Sequence, residues 1–540
     1  MTMKKILISV FLLSLALQAG AQYWPSWMDA LDFSENDYLG TARSVGMGNA
    51  MTAVGGDLGS LTFNPAGSAV AGYSQFTITP GFSFSTVTAQ GSYGEGFQDA
   101  YKTRKPRMGL PNFGAMMTYD TGNRHGLKRL SFGIVGNVTR DYTNKLRAGG
   151  TNTSTSVAGA LASQAVGYPV DVLNGSYYQS DMPSLATMVG WKGGLFEQLD
   201  GQYVGITESI LDNPNHDVVL TDKISQYYGR EHKGSKYDML VNFGMDFNDN
   251  FYLGANVGIT TLTYHCDETR SEDAIPGIDY GNSFEYLRFR TALDDEGTGL
   301  YAKVGFIARP FTGFRVGAAI QTPTVMQIHQ LEQLEGASLA YHEPVTESFS
   351  DIDNGGWFYN VVSPWRANVG VAYTIGKFGL VSADYEYTDY SAMKFTPAYN
   401  RGCNDDFSYE NRDIQDFCGP VHAIRLGAEI KPAPTFALRV GYNLTTGAQH
   451  NKLTDDDRLV ALSSDERIAQ LRTAVSFGAG YSSPGSFFAD FAIRFQYLPN
   501  EYITPYWYYN TDNQEILDRI PEICGQSALC NALLTLGWRF

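Results

Sequence analysis

Several functions are excluded by what this chain has little of. Its 540 residues carry 39 lysines and arginines against 56 acids, a net charge of −17. That balance argues against nucleic acid, whose phosphates need cations to neutralise them. No Walker motif is present, and Gly46-Met47-Gly48 is followed by Met51 rather than by the glycine a dinucleotide fingerprint needs. No pair of histidines has metal-ligand spacing with a third ligand, so neither a metal nor another cofactor is expected. The Asp455-Asp456-Asp457 run reads as a solvated loop rather than a calcium site. No motif singles out a positioned nucleophile or an acid–base set, so the chain is not read as an enzyme. Beyond the first 20 residues no apolar run approaches the length of a membrane-spanning helix. A β-barrel remains open, because its alternating faces keep the average hydropathy near zero.

The chain opens on Lys4-Lys5, an apolar run from Ile6 to Leu17 and an Ala19-Gly20-Ala21 site, the pattern of a secretory signal peptide over residues 1–21. Gln22 rather than cysteine follows, which argues against a lipoprotein anchor, and loss of Lys4 and Lys5 takes the charge to −19. Export implies an oxidising compartment. Two local disulfides are therefore expected, Cys403 with Cys418 and Cys524 with Cys530, each closing a polar loop, with Cys266 left over beside His265.

The abundant residues are 57 glycines, 34 tyrosines and 31 phenylalanines, which favour β-structure with aromatic girdles. Segments of about ten residues with alternating polarity fall at 76–87, 111–119, 130–139, 237–247, 251–260, 300–309, 314–325, 365–373, 380–390, 424–430, 436–444, 474–481, 487–497 and 533–540. Short turns and long polar loops alternate between them. The reading is all-β: a transmembrane antiparallel β-barrel of 14 strands over residues 73–540, with 12 and 16 strands as neighbouring counts. The largest external loop spans about 141–236. On the last strand Leu534, Leu536, Trp538 and Phe540 face one way, and Trp538 with the terminal Phe540 resembles the assembly signal read by the barrel-assembly machinery.

Alternation also assigns faces. Arg439, Asn443, Arg425, Glu429, Asp490, Arg494, Arg315, Arg366, Asn242 and Asp246 are placed in the lumen, because a lipid-facing Arg or Lys at the bilayer midplane costs about 2–4 kcal/mol. Both signs occur there, so ion pairs with one another or with a plug are the expected arrangement.

Residues 22–72 precede the first strand and need somewhere to bury their apolar positions. The stretch Thr41 to Val70 is rich in small residues and carries Asn64-Pro65-Ala66-Gly67. With Thr41-Ala42-Arg43, Met47-Gly48 and Gly56-Asp57-Leu58 it resembles the N-terminal hatch of the FadL/TodX family of outer-membrane transporters for hydrophobic compounds. Asn49 departs from the glycine expected there. Segments 297–310 and 314–324 resemble the central hairpin of that family and 383–391 its later strands, so the resemblance covers most of the chain outside the long loops.

The resemblance implies a monomer of the Gram-negative outer membrane, in contact with its lipid and lipopolysaccharide. It would pass long-chain fatty acids or other hydrophobic small molecules by loop capture, a pocket near the N-terminus and lateral release. On that reading Asn64, Pro65, Ala66 and Gly67 form the hatch motif, with Asn64 tying the hatch to the wall and Pro65 fixing its backbone. Residues 23–27 are an aromatic start that enters the pocket or trails as a tail. Leu185, Met188, Trp191, Leu195 and Phe196 form a capture loop, or else pack over the barrel mouth. Gly133 and Gly136 permit a kink in the third strand at a lateral gap. Two alternatives stand beside this reading. One is a haem-binding receptor using His265 or His342 as axial ligand, and the other is a plugged barrel with a structural or adhesive role.

Overall fold

In the computed structural model, 14 antiparallel strands close on themselves around a plugged lumen. The structure describes residues 25–177, 182–214, 216–352, 355–453, 458–509 and 520–540. The expected signal peptide, Tyr23, Trp24 and the Asp455–Asp457 run lie outside them.

The wall consists of β1 (Gln75–Tyr93), β2 (Tyr101–Asp120), β3 (Leu127–Asp141), β4 (Ile224–Phe247), β5 (Phe251–Asp273), β6 (Tyr286–Phe311) and β7 (Phe314–Gln321). It continues with β8 (Arg366–Ile375), β9 (Gly379–Asp389), β10 (Pro420–Ala433), β11 (Phe436–Thr445), β12 (Arg472–Ser482), β13 (Phe487–Tyr497) and β14 (Glu522–Arg539). β14 pairs with β1 from Gln75↔Arg539 upward, which closes the barrel.

The polarity is inside out, as a barrel in lipid requires. Phe132, Ile134, Phe243, Ile259, Val304, Val371, Leu426, Val440, Phe477 and Phe491 are exposed on the outer face. Inside, Arg439, Arg425, Glu429, Asp490, Arg494, Arg366, Asn242 and Asp246 are buried, with Arg315 and Asn443 partly so. The inward charges pair as expected. Arg439 reaches Glu429 at 2.7 Å and Asp490 at 2.6 Å, and Arg425 reaches Glu386 at 3.0 Å.

β4, β5, β6 and β14 run well past their expected outer ends. Above the bilayer one face no longer has to be apolar, so the alternation that marks a strand in sequence disappears. Strand 144–152 likewise continues β3 upward along β4. The expected loop 141–236 is thus wall at both ends. Its irregular part is 153–223, holding helices Val157–Gln164 and Leu185–Lys192 and two small hairpins.

The cysteines correct a second expectation, since all five are free thiols. Cys524 and Cys530 both lie on β14, and six residues of extended chain separate them by about 20 Å, far beyond disulfide reach. Cys403 and Cys418 flank helix Ser408–Phe417 and join one apolar cluster as separate thiols.

Candidate functional site

The hatch is built from backbone meeting backbone. Short helices Ala42–Gly46 and Gly67–Ala71, with a 3-10 turn at Leu58–Thr62, fill the half of the lumen at the short-turn end of the barrel. Opposite them stands a row of wall glycines, including Gly254, Gly305, Gly317, Gly427 and Gly441. A Cβ on Gly441 would lie 1.9 Å from the Gly48 nitrogen, and one on Gly254 would lie 2.3 Å from the Ala66 nitrogen. Gly244↔Gly254↔Gly305, Gly317↔Gly370 and Gly427↔Gly441 are register partners, so the seat is continuous across strands.

Polar wall side chains fasten the hatch to that seat. Asn64, fully buried, donates to the Thr52 carbonyl at 2.8 Å and the Phe306 carbonyl of β6 at 2.9 Å. Its Oδ1 accepts from the Ala66 amide at 3.1 Å. Asn242 donates to the Pro65 carbonyl at 2.9 Å, Asn256 to Leu61 at 2.8 Å and Lys303 to Thr62 at 2.6 Å. Ala66 packs with Tyr252 and Ile307, and a side chain at Gly67 would meet Ser60 Oγ at 2.6 Å. Arg43 pairs with Glu429 at 3.1 Å.

Above the hatch, the described part of the N-terminal segment forms a helix that begins at Trp27. Ser26 caps Trp27–Ser34, with its amide 2.7 Å and its hydroxyl 2.9 Å from Asp29 Oδ2. Ser-x-x-Asp is a capping box that sequence inspection could have found. Call this helix α1. The wall holds its C-terminal end: Arg140 reaches Asp32 at 2.7 Å and Glu35 at 2.6 Å, Tyr142 donates to the Asp32 carbonyl, and Lys236 donates to the carbonyls of Phe33 and Glu35.

α1 is the floor of a cavity of about 620 Å³, within the usual ~300–1,000 Å³ of small-molecule sites. Ser26, Met28, Asp29 and Asp32 form the floor, while Val157, Ala160 and Leu161 with Leu185 form an apolar roof. The wall contributes Tyr264, Phe289, Leu293 and Leu334 and the ion pairs Arg230–Glu501 (2.5 Å) and Arg270–Glu268 (2.6 Å). One side of the cavity is therefore greasy and the other polar. Of the expected capture residues only Leu185 lines it. Met188, Leu195 and Phe196 are the core of the inserted loop, and Trp191 donates to Asn174 at 2.8 Å and packs on Phe196 and Tyr203.

Directly beside α1 the wall changes. β2 and β3 pair from Asp120↔Arg129 to Asn112↔Asn137 and then part, although β2 continues to Tyr101. Residues 135–139 of β3 are all buried, so its alternation is lost where it turns inward. The N-terminal chain meets it there. Leu39 bridges Val138, and Asp37 donates to the Thr139 carbonyl at 2.6 Å. Gly136 sits under a lid of Phe113 and Tyr237, whose rings stack at 6.0 Å, and a Cβ there would lie 2.5 Å from the Tyr237 hydroxyl. Gly133 is not so constrained, its nearest neighbour being the Ala115 carbonyl at 3.3 Å.

The two histidines considered for haem do not face the cavity. His265 lies 2.6 Å from Asp294 on the outer face, opposite in parity to the cavity-lining Tyr264 and Cys266, and His342 occupies an exposed tight turn. His232 does line the cavity. At the other end Trp538 packs between Phe76 and Phe487, and the Phe540 amide donates to the Ser74 carbonyl.

No protein-family model matches the sequence, and no curated protein matches it. Among solved structures the chain is similar to a Pseudomonas aeruginosa FadL homologue, at 13% identity and a TM-score of 0.49, over 93% of this chain and 98% of that one. It is also similar to the Pseudomonas putida toluene transporter TodX, at 12% identity and a TM-score of 0.48, over 93% of this chain and 99% of that one. A third similar structure is the monoaromatic hydrocarbon channel CymD, at 10% identity and a TM-score of 0.42, over 91% and 96% of the two chains.

Proposed function

We propose that the protein passes hydrophobic compounds across a Gram-negative outer membrane by diffusion, with long-chain fatty acids as the first candidate substrate. One observation carries the reading. The helix that floors the cavity is the same helix that Arg140 and Tyr142 fasten to β3, just past the point where β3 leaves β2. A molecule that settles in the cavity presses on the element holding the wall seam shut.

The chemistry of the cavity suits a greasy solute. Each methylene kept out of water is worth about 0.8 kcal/mol, and the roof of Val157, Leu161 and Leu185 supplies apolar contact. Arg230 and Arg270 stand at the polar side for a carboxylate headgroup, each already paired with a glutamate. A neutral aromatic would use the roof alone. The hatch seals the periplasmic route through its glycine seat, which leaves the β2–β3 seam as the exit for a solute that prefers lipid.

The test is equilibrium binding of a fluorescent long-chain fatty acid to the detergent-folded barrel, with unlabelled fatty acid, toluene and haem as competitors. Saturable binding displaced by fatty acid, and weakened by A160W in the roof, supports the proposal. Displacement by toluene alone makes it an aromatic-hydrocarbon channel. Displacement by haem alone and its loss in H232A would turn the cavity into a haem site, and no saturable binding would leave a structural barrel.

A further inference from the structure

The outer wall directly above the β2–β3 seam carries a concentration of cations that uptake does not explain. On its outer face β2 contributes Lys102 and Arg104, strand 144–152 contributes Lys145 and Arg147, and β4 contributes Lys233, while Lys105 and Arg107 alternate to the other face of β2 and reach the same seam from behind. Three carboxylates accompany these seven cations, Asp99, Asp141 and Glu231, in a chain with 56 acids to 39 cations overall. Glu231 alone is approached by three ammonium groups, Lys105 and Lys145 at 2.6 Å and Lys233 at 3.0 Å. Arg107 is held by Asp141 and the Gly234 carbonyl. The nearest further acid on that face, Asp267, is taken by Arg290 at 2.6 Å. Lys102 and Arg104 are exposed and have no side-chain partner among the described residues.

Position decides what this surplus faces. Met108, 79% exposed, and Leu110 mark the apolar outer face of β2, and Arg104 follows four residues on, about 13 Å along the strand. On β4, Tyr237 is the last outward aromatic before Lys233. The cations therefore begin where the apolar belt ends, at the end of the barrel away from its short turns. That is headgroup depth.

A second feature lies in the same wall. The register row Arg104↔Thr86↔Ala528↔Tyr497↔Thr473 runs from the cationic strand across β1, β14 and β13 to β12. At its far side is an outward-facing groove of about 370 Å³, in which the small residues Thr86, Ala528 and Cys530 leave a hollow between Phe84, Phe495 and Tyr497. Strands are about 4.8 Å apart, so Ala528 lies roughly 10 Å from Arg104. An anionic headgroup on the cations would place its acyl chain within reach of the hollow.

We infer that this face is a specific seat for a phosphorylated glycolipid of the outer leaflet, with Lys102, Arg104, Lys145 and Lys233 on its phosphates and an acyl chain in the Phe84–Ala528–Tyr497 hollow. The seat borders the seam, so the bound lipid is the first molecule a laterally released solute meets. The inference rests on the barrel's lying in an outer membrane and not on which solute it carries, so either can fail alone.

The experiment is native mass spectrometry of the detergent-folded barrel titrated with bis-phosphorylated lipid A and, separately, with its dephosphorylated form. At least tenfold tighter retention of the phosphorylated form is expected, falling as ammonium acetate is raised. The K102Q/R104Q/K145Q/K233Q variant should lose that preference, and K102Q/R104Q, which breaks no pairing among the described residues, should lose part of it. A528F should weaken both lipids. A K223Q/K394Q/R412Q control removes exposed charge elsewhere on the external side and should retain the preference. Equal retention of both lipids by the wild type, or equal loss in the control, would overturn the inference.

Discussion

At the scale of single residues, Asn64 shows how the hatch is specified. A carboxamide is the one side chain that donates twice to carbonyls while accepting a local amide, and all three bonds are made with the residue buried. Asn64→Ala should remove a donor from each of the Thr52 and Phe306 carbonyls, at about 1–3 kcal/mol. Hydrogen exchange of the Leu58–Ala71 amides is expected to quicken by the corresponding factor, and unchanged protection would refute that role. The motif was legible in sequence because it is local. Its seat was not: Gly254 and Gly441 matter only for what stands opposite them, and that depends on register and depth.

Glu208, in the external insertion, gives a pH dependence at the same scale. It accepts from the Tyr508 hydroxyl at 2.7 Å and the Gly205 amide at 2.9 Å, beside Ser156 at the start of helix Val157–Gln164. Burial pushes its carboxyl above the ordinary glutamate value, against the pull of those bonds. The folded loop therefore holds this proton to higher pH than the unfolded loop does. The stability involved is present at low pH and is lost as pH rises through the raised value. Protection of the 157–164 amides should fall from pH 5 to pH 8, and Glu208→Gln should flatten the change.

Among elements, α1 and β3 work as a pair. Glycine content alone points to a kink at Gly133 and Gly136. The structure places the close contact at Gly136 and the bend beyond it, where residues 135–139 lose alternation. What the sequence could not reveal is that the inward turn is met by the chain's own N-terminal segment at Leu39 and Asp37. Arg140→Ala would leave Asp32 without its cation and Glu35 with only Arg472. The pair is partly exposed, so the full cost of breaking a buried one is discounted to about 2–3 kcal/mol. Protection of the Asp29–Ser34 amides should drop while the β4–β5 amides stay unchanged. A uniform change across the barrel would mean that Arg140 supports the wall rather than α1.

For the whole molecule, legibility followed the solvent. Where strands cross lipid, alternation is enforced, and β13 was bounded from sequence at the same residues the structure shows, Phe487–Tyr497. Where the same strands stand above the membrane, β4 is 13 residues longer than expected, because both of its faces there meet protein or water and the alternation is lost. The cavity escaped for the same reason. Its walls come from those upper strands, while the apolar loop cluster of Met188, Leu195 and Phe196 is the loop's own core.

The cavity, α1 and the β2–β3 seam form one route on this reading, and photolabelling tests that most directly. A diazirine-bearing long-chain fatty acid would be bound to the lipid-embedded barrel, irradiated, and its adducts mapped by peptide mass spectrometry. Adducts are expected on the roof at Leu161 and Leu185, on the wall at Phe289 and Leu334, and at the seam on Phe113 and Tyr237, all reduced by excess unlabelled fatty acid. Adducts spread evenly over the outer face, unaffected by competitor and absent from the roof, would contradict a route through the barrel.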